Sequence, residues 1–336
     1  VPLDPSVAAV RLAVRRDLVA VGATADRPLL VACSGGADSL ALLAATVVEA
    51  RPAGARVVGV TVDHGLQEGS TERAAAVVDQ MAGLGAHETM AVRVRVEAPG
   101  IGPEAAAREA RYAALGQAAT SLGAAAVLLG HTLDDQAETV LMGLTRGSGG
   151  RSIAGMRRSF EVYRRPLLDV TRAQTEAACR AEGITWWSDP HNDDPRFLRA
   201  RVRHTVLPVL EAELGPGVAT TLARTADQLR VDMEALDELA DAAFGALADG
   251  QGAGTALSLA GLAAHPPAVV GRVVRRAALA AGSPASELFA VHVEGLLSLV
   301  LGTVRGEVQL PGRVTAYVEG RPGDGHLRFR PTAVAG

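Results

Sequence analysis

The sequence predicts an α/β fold, a doubly wound parallel sheet over residues 1–215 with a second, mainly helical domain over residues 216–336. Three observations predict it. Short apolar runs alternate with helical periodicity at roughly thirty-residue intervals, the pattern of repeated strand–helix–strand units. One of those runs, Arg56 to Val62, is nearly all β-branched, as a strand buried on both faces of a parallel sheet is. At Leu214-Gly215-Pro216-Gly217 the chain breaks and its composition changes.

In order, Val7 to Val21 carries helical spacing, Leu29 to Cys33 is a strand, and Leu40 to Glu49 a helix. Arg56 to Val62 is the second strand, Thr71 to Leu84 a helix, Glu88 to Val96 the third strand, Pro103 to Leu122 a long helix, and Ala125 to Leu129 the fourth strand. Right-handed crossovers bring the carboxyl ends of all these strands to one edge, so the polar motifs that follow them share a cleft. Thr171 to Glu182 is a further helix. Beyond Gly217, Val218 to Leu247 reads as a long acidic helix, Gly250 to Gly254 as a loop, and Pro267 to Ala281 as a helix. Ser283-Pro284 is expected to cap a last helix to Leu301, with Pro at its first position. Glu307 to Phe329 is hairpin-like around Pro311-Gly312. No catalytic constellation follows Gly217, so this half reads as an accessory domain.

Between the first strand and its helix lies Ser34-Gly35-Gly36-Ala37-Asp38-Ser39, and two readings fit it. One is an N-capped turn, for which these residue types are usual. The other is a pyrophosphate loop, in which successive N–H groups at a helix N-terminus hold an anion. Gly35 and Gly36 would permit close approach of the backbone, and Ser34 and Ser39 would add hydroxyl donors. Asp38 is the informative residue, because a carboxylate repels phosphate unless Mg²⁺ bridges the two. The loop is not a Walker A motif, which needs a Lys; all 33 residues of the combined Lys and Arg count are Arg.

Asp63 ends the second strand in Asp63-His64-Gly65-Leu66, either as a ligand group at a strand's carboxyl end or as a turn residue. The fourth strand leads into Gly130-His131-Thr132-Leu133-Asp134-Asp135-Gln136-Ala137-Glu138-Thr139. Thr132 and Asp135 fit a capping box, which accounts for one carboxylate. Asp134, Asp135 and Glu138 together crowd one side of a helix and repel each other, so the motif predicts a cation.

Net charge is −4, yet residues 146–203 hold twelve Arg against seven acidic residues, and residues 205–250 two Arg against nine. The basic stretch contains Arg146, Arg151, Arg199, Arg201 and Arg203 and both tryptophans, Trp186 and Trp187. Guanidinium groups beside aromatic faces suit a splayed nucleic-acid strand; core tryptophans beside a solvated helix account for the same residues. Cys33 and Cys179 are too few for a disulfide framework or a Cys metal site. No apolar segment approaches the ~20 residues needed to cross a bilayer, and the first residues lack a leader pattern, so a cytoplasmic location is expected. Monomer and homodimer both stay open.

The SGGADS stretch matches every specified position of SGGxDS, and so resembles the pyrophosphate loop of the N-type ATP pyrophosphatases. That resemblance implies the adenine nucleotide alpha hydrolase-like form of the α/β fold. With VDHGL, GHTLDDQAET, RGSGGRSIAGM, RPLLDVTR and WWSDPHNDDPRFLRARVRHTVLPVLE, in matching order over about residues 29 to 214, the chain closely resembles the tRNA(Ile)-lysidine synthase family. Members use ATP and free L-lysine to convert the wobble cytidine of an isoleucine tRNA with a CAU anticodon to lysidine, releasing AMP and pyrophosphate. The resemblance implies that Ser34, Gly35, Gly36, Ala37, Asp38 and Ser39 bind ATP, with Asp38 at Mg²⁺ and Asp63 near the nucleoside. It implies that Arg111, Asp135 and Glu138 recognise lysine, that His131 and Asp134 belong to the same catalytic motif, and that Arg146, Arg151, Arg199, Arg201 and Arg203 face the tRNA. Thr132, His191 and Ala200 stand where the family commonly has His, Ser and Asn.

Two rival functions differ in what they need. A sulfur-inserting tRNA enzyme of the same superfamily usually carries Cys pairs, and Cys33 and Cys179 form no CxxC. A nucleotide-sensing RNA-binding protein without catalysis has no use for the acidic cluster. The ligase chemistry sets a conflict of its own. An ε-amine with a reference pKa near 10.4 is neutral in only about one molecule in a few thousand at pH 7, and an acidic cluster favours the charged form further.

Overall fold

The computed structural model describes residues 2–65, 69–95, 103–145, 149–189, 193–250, 252–321 and 324–332. The chain divides into two compact units, Val1–Gly147 with Ser152–Asp227, and Ser148–Arg151 with Gln228–Gly336. The division falls inside the long helix Val218–Leu247, further along than the 215/216 boundary expected from composition.

The first unit opens with α1 (Pro5–Leu18), which Asp4 caps by accepting from the Ser6 and Val7 N–H groups, with Pro at the first position. Its Val7, Val10 and Val14 are buried, while Arg11 and Arg15 each reach Glu49 at 2.6 Å. Then come β1 (Leu29–Ala32), α2 (Ala37–Ala50), β2 (Val57–Asp63), α3 (Ser70–Gly83), β3 (Glu88–Arg93), α4 (Pro103–Leu122), β4 (Ala126–Leu129) and α5 (Leu133–Thr145). After α6 (Gly150–Ile153), a hairpin of β5 (Ser159–Phe160) and β6 (Tyr163–Arg164) leads to α7 (Arg172–Ala181). The unit ends with α8 (Leu198–Arg201), a π-helical stretch over Val202–Val206, α9 (Leu207–Leu214) and the start of α10 (Val218–Leu247).

The sheet order is β3-β2-β1-β4-β6-β5, parallel except for β5 at the edge. Leu29 and Val31 of β1 face a core with α1, α2 and α7, and Leu30 faces one with α4, so helices cover both faces. All three are fully buried, each worth roughly 1.5–3 kcal/mol relative to exposure. The strand order reverses between β1 and β4, where an open sheet of this kind leaves a ligand crevice outside its carboxyl ends. The expected doubly wound sheet is therefore present, with the β5–β6 hairpin added.

The second unit packs α12 (Pro267–Ala280) and α13 (Ala290–Val300) on a sheet ordered β7-β8-β11-β10-β9. Its strands are β7 (Ala248–Asp249), β8 (Ala256–Ser258), β9 (Glu307–Leu310), β10 (Val314–Glu319) and β11 (His326–Pro331), with α11 (Leu259–Ala263) after β8. The expected hairpin is β9–β10, turned through Gly312 at φ +77°, and it belongs to a five-stranded antiparallel sheet that strands as short as β7 and β8 do not announce. The expected helix start at Pro284 is corrected: the Glu287 and Leu288 N–H groups both donate to the Pro284 carbonyl, at 3.2 and 3.1 Å. That turn carries Leu288 into the core, and the helix begins at Ala290. No helix among the described residues is long and apolar enough to cross a membrane.

Candidate active site

The loop after β1 has the backbone of an anion cradle. Gly35 takes φ +83° and a Cβ there would lie 2.7 Å from Val77 Cγ2. Gly36 caps α2 without a side-chain bond, so no cap side chain competes for the N–H groups of the first turn. Ser39 Oγ accepts from the Ser34 N–H at 3.2 Å and donates to the Gly36 carbonyl at 2.9 Å, bracing the loop across its width. The thiols of Cys33 and Cys179 sit against the carbonyls of Ser39 and Ala37. Burial pushes both thiols up to about 12, so they pack rather than react. The Trp187 N–H donates to the Gly35 carbonyl at 3.0 Å, and the Arg73 guanidinium lies 4.6 Å over the Trp187 ring.

The motif after β4 is packed directly against this loop. A Cβ on Gly130 would come within 3.1 Å of the Asp38 carbonyl group and Ser39 Cα. Gly130→Ala should therefore push the loop off its geometry. Overpacking costs about 1–3 kcal/mol, which predicts a lowered melting temperature, read by thermal unfolding of the variant against wild type.

Thr132 and Asp135 form the expected cap: Asp135 Oδ2 accepts from the Thr132 N–H at 2.9 Å and from its hydroxyl at 3.1 Å. The remaining oxygens of the acidic group meet arginine. Glu138, fully buried, takes Arg203 Nε at 2.7 Å and Nη2 at 3.1 Å, with Arg172 at 3.5 Å and Arg199 at 3.6 Å. Asp135 Oδ1 lies 3.0 Å from Arg172 and 3.4 Å from Arg203. Burial pushes Asp135 up, but Arg172 and the other cations prevail, holding its carboxyl below the usual range. The cation predicted from the crowded carboxylates is thus, within this chain, a set of arginines.

Helix α7 ties the two motifs together. Thr171 caps it through a reciprocal box with Gln174, which aims the Arg172 N–H at Asp134 Oδ2, 2.7 Å away. The Arg172 side chain reaches Asp38 at 3.7 Å as well as Asp135, and the Thr175 hydroxyl donates to Asp38 Oδ1. Asp38 and Asp135 therefore share one guanidinium. Burial raises the Asp38 carboxyl to about 6, against its bonds to Thr175 and Arg172, and the charges of Asp135 and Asp134 add to the rise.

Beside the acidic group lies a cationic one. Arg165 Nε donates to His131 Nδ1 at 3.0 Å and its Nη2 to the Tyr112 hydroxyl at 3.0 Å. Burial foremost, then the neighbouring arginines, hold His131 down at about 3, so it is neutral, with its proton on Nε2 because Nδ1 accepts. Arg111 has its Nε buried without a hydrogen-bond partner among the described residues, and burial with Arg108, Arg199 and Arg165 nearby lowers it. His64, after β2, adjoins Arg111 and is lowered by burial and that charge.

The other expected residues are placed as follows. Asp63 closes its own turn, accepting from the Gly65 N–H at 2.9 Å and the Thr71 hydroxyl at 3.4 Å. Arg199 and Arg203, expected to face a nucleic acid, turn onto Glu138. Arg201 donates to the carbonyls of Pro195 and Arg196, and Arg151, in the second unit, pairs with Asp237. Ala200 and Thr132 are buried. Leu66, Arg146 and His191 lie outside the described residues. The sequence reading missed Arg172, Thr175, Arg165 and Tyr112; the Thr171-x-x-Gln174 box was the available signal for the first two, since it fixes where that helix starts.

A family model described as a PP-loop domain matches residues 11–210. The tRNA(Ile)-lysidine synthase of Streptomyces coelicolor is 50% identical over 94% of this chain and 97% of its own. That of Thermobifida fusca is 54% identical over 92% and 94%, and that of Salinispora arenicola 52% identical over 94% and 95%. Among solved structures, the U34-tRNA thiolase NcsA of Methanococcus maripaludis, with its iron–sulfur cluster, superposes with a TM-score of 0.56 at 18% identity, covering 67% of this chain and 79% of that one. That is a likeness of fold. The glycine loop, the carboxylates of α5 and matches running the length of both partners lead to one assignment: the chain belongs to the tRNA(Ile)-lysidine synthase family.

Proposed function

We propose that this protein joins free L-lysine to C2 of the wobble cytidine of tRNA(Ile) with a CAU anticodon, in two steps driven by ATP. In the first, the cytosine carbonyl oxygen attacks the α-phosphate and pyrophosphate leaves. In the second, the ε-amine attacks C2 and AMP leaves, giving lysidine. What carries the reading is the shared guanidinium: Asp38 of the anion loop and Asp135 of the carboxylate group both lie against Arg172, so a triphosphate and an amino acid held by them meet.

The N–H groups from Gly35 to Ser39 hold the phosphates, and charge building on them is stabilised by amide dipoles and arginine without a protein nucleophile. Asp38 fits Mg²⁺. It is a hard oxygen donor and partly exposed. One carboxylate plus substrate phosphates is how this ion is usually bound, and when bound it would neutralise the leaving pyrophosphate. Arg111 suits the carboxylate end of lysine, since its Nε has no partner among the described residues; Asp135 and Glu138 suit the ammonium end. His131 and Asp134 line the same edge, His131 offering a neutral Nε2–H donor. Arg146, Arg151 and Arg201 are proposed tRNA contacts, as is the second unit, while Arg199 and Arg203 act from the carboxylate group.

Protein, ATP, CAU-anticodon isoleucine tRNA and labelled lysine should yield label in the tRNA and one AMP per lysidine. ATP-independent tRNA binding with no label would overturn the reading, and so would sulfur incorporation.

A further inference from the structure

Arg172 touches every carboxylate of the site. Its N–H donates to Asp134 at 2.7 Å, and its guanidinium lies 3.0 Å from Asp135, 3.5 Å from Glu138 and 3.7 Å from Asp38. The side chain is 22% exposed. Its backbone is fixed by the Thr171–Gln174 box.

Carboxylates alone would bind an ammonium well and, for the same reason, keep its proton on. A fixed cation beside an amine does the reverse, favouring the neutral form that attacks. We propose that Arg172 is a positioning residue for the lysine step: it shares Asp135 and Glu138 with the incoming side chain, so that the amine enters a charge-balanced group and reaches its target neutral and nucleophilic. This rests on the ligase reading above.

Arginine is suited to the role because its charge persists at every working pH, whereas a lysine would keep its charge over the neutral range and lose it only at the alkaline end. The charged groups that face the acceptor carboxylates come from each surrounding element. Asp134 shares α5 with them, Asp38 lies in the first turn of α2, and Arg199 and Arg203 reach them from α8 and the π-helical stretch. Arg111 of α4 adds positive charge next to Arg199, and His131 is neutral. In the step itself the amine nitrogen bonds to C2, the C2–O bond breaks with its electron pair leaving on AMP, and the nitrogen's surplus proton passes to a carboxylate of the group.

The test uses the full chain with ATP and isoleucine tRNA, measuring the lysine-dependent step across pH for wild type, Arg172→Gln and Arg172→Lys. Arg172→Gln should lower the KM for lysine, because a competing cation is gone. It should also cut kcat about tenfold at neutral pH and move the alkaline rise of the rate by about one pH unit upward, the tenfold and the one unit being the same change. Arg172→Lys should keep the wild-type profile over the neutral range. Thialysine, whose ω-amine is less basic, should lose less than lysine in the Gln variant. A raised KM with an unmoved profile would make Arg172 merely structural and overturn the proposal, as would a Lys variant no better than Gln. If the Gln protein does not fold, the Lys variant decides alone: a wild-type profile supports the proposal, and a raised KM with reduced, pH-independent activity overturns it. A wild type that incorporates no lysine fails the function itself, which is a separate result.

Discussion

An Asp38→Ala protein should stop releasing pyrophosphate from ATP while still folding. The loss expected in the first step is about 10²–10³-fold, the scale seen when one preorganised electrostatic group is removed from a reacting centre. Folding should survive because Asp38 is partly exposed, and Arg172, its neighbour, keeps Asp135 and Glu138 as partners. What α2 forfeits is an acidic residue in its first turn, worth roughly 0.3–1 kcal/mol. Asp38→Asn separates charge from shape: it keeps an oxygen for the Thr175 hydroxyl, and should be nearly as inactive. Pyrophosphate release, followed with melting temperature, checks this, and a turnover within a few-fold of wild type in either variant rules out a metal or phosphate role for the carboxylate.

Glu138→Ala has the larger structural effect. The residue has no exposed surface and faces Arg203, Arg172 and Arg199. Removing it leaves guanidinium charge without its principal partner, for which the usual cost is about 3–5 kcal/mol. A loss of unfolding free energy of that size, read as a lower urea midpoint at unchanged slope, is the measurement. Glu138→Gln is milder, since the amide oxygen still accepts from Arg203. With the fold kept, that variant should depress the lysine step more than cytidine adenylation. Equal losses in the two half reactions would remove Glu138 from lysine recognition and leave it as an anchor for the arginines.

Much of this was legible in the chain. The alternation of apolar strands and helices, with the glycine loop after the first strand and the acidic motif after the fourth, places both motifs on one sheet edge by topology alone, and Thr132–Asp135 declares its cap by spacing. Partner choice was less legible. Arg199 and Arg203 lie in a basic run, and nothing in a linear charge count separates a guanidinium facing solvent from one turned onto a buried glutamate more than sixty positions earlier. Arg172 escaped for a related reason: its importance comes from standing where the ends of α2, α5 and α7 converge, a property of three dimensions. In the second unit, strands of two and three residues such as β7 and β8 are shorter than any periodicity can register, so the antiparallel sheet showed only as its β9–β10 hairpin.

The two tryptophans of the chain sit side by side at the glycine loop, Trp186 against the core beneath it and Trp187 joined to the Gly35 carbonyl with a cationic side chain over its ring. Intrinsic tryptophan emission from this protein therefore originates next to the glycine loop, with no indole elsewhere to dilute it. On the function proposed above, nucleotide entering the cradle should change Trp187 emission, which would make the unlabelled polypeptide its own optical reporter of occupancy.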